Sequence, residues 1–190
     1  TTSGKVLKTE ANYNNEIGVP KTLLNLDETH KYGVIEMAMR GRGEIALLAE
    51  IANPNIGVIT NIGTAHIGRL GSQEAIAEAK CELLATMNNS GVAILNGDDD
   101  LLLRTAKRVW QGETITYGLK NGDLQGELMD NNILKLDGKL YPLPLQGQHN
   151  ALNYLSAIAT AKVLNLDLEI LTRGIEVSMP KGRAKRVELS

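Results

Sequence analysis

Ile56-Gly57-Val58-Ile59-Thr60-Asn61 and Val92-Ala93-Ile94-Leu95 are two short, mostly apolar runs separated by a helical pattern over residues 72–87. Continuous apolar character, rather than strict alternation, is what a strand buried on both faces requires, and such burial is typical of parallel sheets. The helical stretch between the runs is long enough to act as the crossover of a βαβ unit. Working outward, β-rich runs recur at residues 5–9 and 32–37, and helical patterns at residues 43–52 and 99–109. This order predicts an α/β fold, a doubly wound and mostly parallel sheet.

From residue 112 to residue 146 the texture changes. Segments 114–117, 124–129, 133–136 and 140–145 are short, and Asn121-Gly122, Asn131-Asn132 and Asp137-Gly138 stand between them as turn formers. The expectation is a small antiparallel β subregion spanning 112–146 within the same domain. Helical periodicity returns at residues 149–164 and 168–176, ahead of a basic tail, Lys181-Gly182-Arg183-Ala184-Lys185-Arg186.

With 190 residues the chain suits one ordinary domain, 1–190. Its 20 Lys plus Arg against 22 Asp plus Glu give a net charge of -2, so no overall basic field exists to hold nucleic acid or anionic lipid. The single cysteine, Cys81, excludes an internal disulfide and points to a reducing compartment, the cytoplasm. No run of 18 apolar residues is present, so no membrane insertion is expected. The missing initiator Met suggests a piece of something longer.

In open α/β sheets ligands bind beyond the carboxyl ends of the strands. Glu36 ends Gly33-Val34-Ile35, Thr60 and Asn61 end the run from Ile56, His66 follows in a Gly-rich turn, and Asn96-Gly97-Asp98 follows Leu95. A carboxylate and an imidazole meeting at one sheet edge suit a hard divalent cation, although each taken singly also has a plain structural reading. Lys80 lies on the apolar stripe of Ile76, Ala79, Leu83, Leu84 and Met87 in a helix opened by Ser72. Either its stem covers the core edge and its ammonium reaches water, or it is a desolvated amine with a lowered pKa, open to modification.

Asn150 and Asn153 fall on one face at the start of a helix, where carboxamides complement an adenine edge or simply stabilise a turn. Asp98, Asp99 and Asp100 read first as caps favoured by the helix dipole. Arg183 after Gly182 suits a phosphate clamp or a solvated charge run. Ser3-Gly4-Lys5-Val6 lacks the upstream Gly and the Ser or Thr after Lys of a phosphate-binding loop.

Taken in order, six blocks resemble the central ATP-binding domain of the Mur ligase family, a P-loop NTPase-like fold. They are Thr9-Glu10-Ala11-Asn12-Tyr13-Asn14-Asn15-Glu16-Ile17-Gly18-Val19-Pro20, Val34-Ile35-Glu36-Met37, Gly57 through His66, Ala79-Lys80-Cys81-Glu82, Leu95-Asn96-Gly97-Asp98-Asp99 and Gly147-Gln148-His149-Asn150-Ala151-Leu152-Asn153. The likeness spans nearly the whole chain. Ala38 departs from it, standing where the family usually has Gly.

The resemblance implies a bacterial ligase of peptidoglycan precursor synthesis. ATP phosphorylates a substrate carboxylate and an amine then attacks the acyl phosphate. Within the family, Asn14 through Pro20 point to the branch that adds D-alanyl-D-alanine to UDP-N-acetylmuramoyl-tripeptide. By the same resemblance Glu36 and His66 are Mg²⁺ ligands, and Lys80 is carbamylated to present an anionic oxygen near the metal. Asn150 and Asn153 hold adenine, Arg183 steadies the phosphates, and Asn14, Asn15 and Glu16 face the UDP-sugar peptide. Family members carry a glycine-rich phosphate loop and two flanking domains that these 190 residues do not contain, so the isolated chain is expected to be inactive. A sibling Mur-type or folylpolyglutamate synthase-like ligase, and a non-catalytic nucleotide-binding module, are the alternative readings.

Overall fold

A computed structural model describes residues 3–65 and 67–175. The chain opens with β1 (Lys5–Lys8), α1 (Gly18–Leu23), β2 (His30–Val34), α2 (Glu44–Ala52) and β3 (Ile56–Ile59). It continues through α3 (Ile67–Leu70), α4 (Gln73–Thr86), β4 (Val92–Asn96), α5 (Asp100–Val109) and β5 (Glu113–Gly118). After β6 (Leu124–Gln125), β7 (Glu127–Met129), β8 (Ile133–Leu136) and β9 (Lys139–Pro142), the helices α6 (Gln148–Val163) and α7 (Glu169–Thr172) follow.

The parallel strands fall into two sheets. β1 pairs with β2, while β3, β4, β5 and β6 form a four-stranded sheet in that order. In the larger sheet the two-residue period sorts side chains to opposite faces. Ile59, Ala93 and Leu95 join one core with Ile76, Ala79 and Leu84 of α4 and Leu102 and Ala106 of α5. Ile94 and Tyr117 join the other with Leu134, Tyr141, Leu155 and Ile158, and Val58 and Ile115 pack against it. The sheet is therefore covered on both sides, as its apolar strands require. Burying each such aliphatic side chain contributes about 1.5–3 kcal/mol.

Local signals place the helix starts well. The Ser72 hydroxyl accepts from the Ala75 N–H (3.1 Å) and the Asp99 carboxylate from the Leu102 N–H (3.0 Å), each capping the helix that follows. The Asp137-Gly138 turn, with both φ positive, joins β8 to β9, and Leu136 sits opposite Lys139.

The expected antiparallel subregion from 112 to 146 is corrected in its boundary: the three-stranded antiparallel sheet is β7-β8-β9, beginning at Glu127. β5 instead runs parallel to β4, with Thr116 opposite Leu95, and β6 runs parallel to β5. The α5 crossover carries β5 parallel to β4, and for β6 the cause lies in the loop after β5. The Asp98 carboxylate accepts the N–H groups of Leu119, Lys120 and Asn121 (2.8–2.9 Å), so Asn121-Gly122 wraps around this anion rather than closing a hairpin. Gly118 makes this possible, because a Cβ there would lie 2.1 Å from the Asn121 carbonyl oxygen. The expected strand 124–129 is broken at Gly126, where a Cβ would meet Leu134 and Leu155. The expected helix 168–176 is the single turn α7, and Glu176 lies outside the described residues.

Candidate active site

The carboxyl end of β3 runs into a short segment, residues 60–62, that three side chains from neighbouring elements hold by its backbone. Asn96, at the end of β4 and only 4% exposed, donates from Nδ2 to the Thr60 carbonyl (3.0 Å). Its Oδ1 accepts from the Asp98 N–H (3.0 Å), which orients the carboxamide. Lys80, from the middle of α4, donates from Nζ to the carbonyls of Asn61 (2.6 Å) and Ile62 (3.0 Å). Asp99 accepts the Ile62 N–H (2.8 Å) on the carboxylate oxygen not used for the α5 cap.

Lys80 is therefore not the lysine of the first expectation, whose ammonium reaches water, but a partly desolvated amine as the second has it. Its stem does lie on the protein-facing stripe, yet the half-buried ammonium turns inward to two carbonyl oxygens. Desolvation lowers its pKa from the ordinary lysine value, and the nearby Asp99 carboxylate partly offsets this. The sulfur of Cys81, the next residue, is buried against the α4–α5 core, and burial pushes its thiol up to about 11.

A second group gathers beyond β2. The strand stops at Val34, so Glu36 stands past its carboxyl end and is exposed. Its N–H donates to Thr9 Oγ1 (2.8 Å), and its carboxylate accepts from Asn14 Nδ2 (3.2 Å). The Asn14 carbonyl accepts the Ala38 N–H (2.9 Å), so Asn14 braces both sides of Glu36. An exposed carboxylate oxygen at a strand end fits a hard cation such as Mg²⁺, which takes few protein oxygens and completes its shell with water and phosphate. Among the described residues no group of three or more His, Cys, Asp or Glu side chains converges.

The structure separates the remaining candidates. Asn15 Oδ1 accepts from the N–H groups of Ile17 (3.2 Å) and Gly18 (2.8 Å), opening α1, while Glu16 is exposed. Gly18 is required there, since a Cβ would lie 2.4 Å from the Tyr13 backbone. Asn150 donates to the Gln146 carbonyl (2.7 Å) at the start of α6, and Asn153 is exposed one turn on. His66 and Arg183 lie outside the described residues. Sequence reading missed the holding of residues 60–62 by Asn96 and Asp99. The one available signal was that the Asn96-Gly97-Asp98-Asp99 block directly follows a buried strand.

Residues 1–161 match the Mur ligase middle domain. Over 185 residues, 97% of this chain and 40% of the relative, the sequence is 62% identical to the UDP-N-acetylmuramoyl-tripeptide--D-alanyl-D-alanine ligase of Synechocystis sp.. A crystal structure of MurF from Acinetobacter baumannii superimposes with a TM-score of 0.86 at 31% identity, over 98% of this chain and 43% of that one. MurF ligase from Thermotoga maritima, solved in complex with ADP, gives 0.80 at 26% identity over 94% of this chain and 44% of that one. The chain thus spans about two fifths of the length of these relatives. With the match running through both candidate groups, the chain belongs to the Mur ligase family, whose middle domain it carries.

Proposed function

We propose that the native polypeptide containing this chain is an ATP-dependent ligase that joins D-alanyl-D-alanine to UDP-N-acetylmuramoyl-tripeptide in peptidoglycan precursor synthesis. The observation that carries this reading is the 62% identity to a ligase of that name along 97% of the chain, which includes every described candidate residue. ADP in the Thermotoga maritima relative supports a nucleotide site in the same fold.

Phosphoryl transfer is governed by positioning and charge neutralisation more than by a strong base. Glu36 would hold Mg²⁺ together with His66 and a carbamate formed on Lys80, and the cation would neutralise charge on the transferring phosphoryl group. The chain's own contribution is placement. Asn14 fixes the Glu36 carboxylate, and Lys80 is held on residues 60–62 where its lowered pKa raises the fraction of neutral amine that can capture CO₂. Asn150 and Asn153 would receive adenine, Arg183 the phosphates, and Asn14, Asn15 and Glu16 the UDP-sugar peptide. A cytoplasmic setting fits the lone buried Cys81 and the finding that, among the described residues, no helix is long and apolar enough to cross a membrane.

The test offers the complete native polypeptide ATP, Mg²⁺, the UDP-tripeptide and either D-alanyl-D-alanine or single amino acids. Phosphate release is expected with the dipeptide, and preference for a lone amino acid would reject the assignment. For Lys80 the expected result is that Lys80→Ala is inactive and partly restored by added short carboxylates; undiminished activity would remove it from the site.

A further inference from the structure

The peptide group between Asn61 and Ile62 is gripped at both ends by opposite charges: its oxygen accepts from Lys80 Nζ (2.6 Å) and its N–H donates to Asp99 Oδ2 (2.8 Å). The second Lys80 bond, to the Ile62 carbonyl (3.0 Å), draws on the same ammonium. We infer that Asp99 is a positioning residue, one that keeps residues 60–62 in register while Lys80 changes its chemical state. This rests on the proposed modification of Lys80 and goes beyond it.

Proton bookkeeping shows why a second holder is needed. An ammonium offers three N–H donors. On carbamylation the ammonium gives one proton to solvent. The amine lone pair then bonds the carbon of CO₂, one C=O π pair moves onto oxygen, and a second proton leaves the nitrogen. One N–H remains, so at most one of the two carbonyl bonds survives. Asp99 is untouched by this conversion. Its other oxygen caps α5 through Leu102, whose side chain is fully buried, so the carboxylate is itself fixed to the core. Asn96 adds a neutral tether one residue earlier, at the Thr60 carbonyl.

Asp99→Ser separates the two duties of this carboxylate. A serine hydroxyl still caps α5 but is one oxygen short, and cannot serve both the Leu102 and Ile62 N–H groups. In the complete native polypeptide we expect Asp99→Ser to melt close to the parent, with the KM for D-alanyl-D-alanine unchanged and kcat lowered by about a hundredfold, the scale of a small misplacement. Asp100→Asn, which removes a neighbouring exposed carboxylate, is the control for lost charge and should keep parental kcat.

In the parent protein the Ile62 amide should resist hydrogen exchange equally in CO₂-free buffer and in saturating bicarbonate. Parental kcat in Asp99→Ser, or rapid exchange of the Ile62 amide in either buffer, would overturn the inference. Lys80→Ala assayed alongside keeps the two ideas apart. An active Lys80→Ala rejects the reading of Lys80 itself, whereas an inactive Lys80→Ala beside a fully active Asp99→Ser rejects the positioning role alone.

Discussion

Replacing Asp98 with alanine removes the anion around which the loop after β5 is folded. Its carboxylate accepts three backbone N–H groups, from Leu119 (2.8 Å), Lys120 (2.9 Å) and Asn121 (2.8 Å). Hydrogen bonds to a charged group contribute about 1.5–3 kcal/mol, but Lys120 and Asn121 are exposed and water replaces part of what they lose. Taking about 1 kcal/mol for each gives about 3 kcal/mol for local opening, which corresponds to roughly a hundredfold faster amide exchange. The effect should stay between Gly118 and Asp123, because Thr116 still donates from its N–H and hydroxyl to the Asp123 carboxylate (2.8 Å each) and so holds the far side of the loop. Amide hydrogen exchange on Asp98→Ala should therefore show acceleration at residues 119–121 with the β4 amides unchanged. Asp98→Asn, with one acceptor oxygen, should fall between the two. Unchanged exchange at all three amides, or equal acceleration throughout β4, would refute the claim that this carboxylate organises the loop.

Two further outcomes follow from the site. Glu36→Gln keeps an acceptor for Asn14 Nδ2 but loses the anionic oxygen, so the complete native polypeptide should need a several-fold higher Mg²⁺ concentration for half-maximal rate while its melting temperature holds; an unchanged Mg²⁺ titration would exclude Glu36 as a ligand. Cys81 is only 1% exposed and burial pushes its thiol up to about 11, so maleimide should leave the folded protein unlabelled and react only after denaturation.

What could be foreseen from sequence divides along a physical line. Features set by neighbours in the chain were legible: the Ser72 and Asp99 caps, the Asp137-Gly138 turn and the apolar stripe of α4 all follow from residues within one or two turns. Features set across the fold were not. Asn121-Gly122 carries a hairpin signal, yet Asp98, more than twenty residues earlier, captures that turn and sends β6 back parallel to β5. Asp99 shows the same division within one side chain, since one oxygen makes the foreseeable cap and the other the unforeseen bond to Ile62. Lys80 was conspicuous by its position on the stripe, but its partners are backbone carbonyls, which carry no residue-type signature at all.

Glu36 and the segment held by Lys80 follow strands of different sheets. β2, which leads to Glu36, pairs with β1, whereas the segment gripped by Lys80 continues β3. The link runs through helices. Glu82, two residues beyond Lys80 on α4, accepts the N–H of Gly43 (2.7 Å) on one oxygen and that of Ala46 (3.2 Å) on the other, closing the N-terminus of α2. Arg42, just before that helix, adds an exposed pair to Glu78 of α4 (2.8 Å). The chain from Glu36 to Arg42 is therefore bound at one end by Thr9 and Asn14 and at the other by the helix that carries Lys80. A carboxylate at a helix N-terminus is favoured by the dipole as well as by its two hydrogen bonds, so the α2–α4 contact ties the segment after β2 to the helix that carries Lys80. It follows that the sequence Ala79-Lys80-Cys81-Glu82 does two jobs from one helical turn: Lys80 holds the loop after β3, and Glu82 holds the N-terminus of α2, the helix that follows the segment from Glu36 to Arg42.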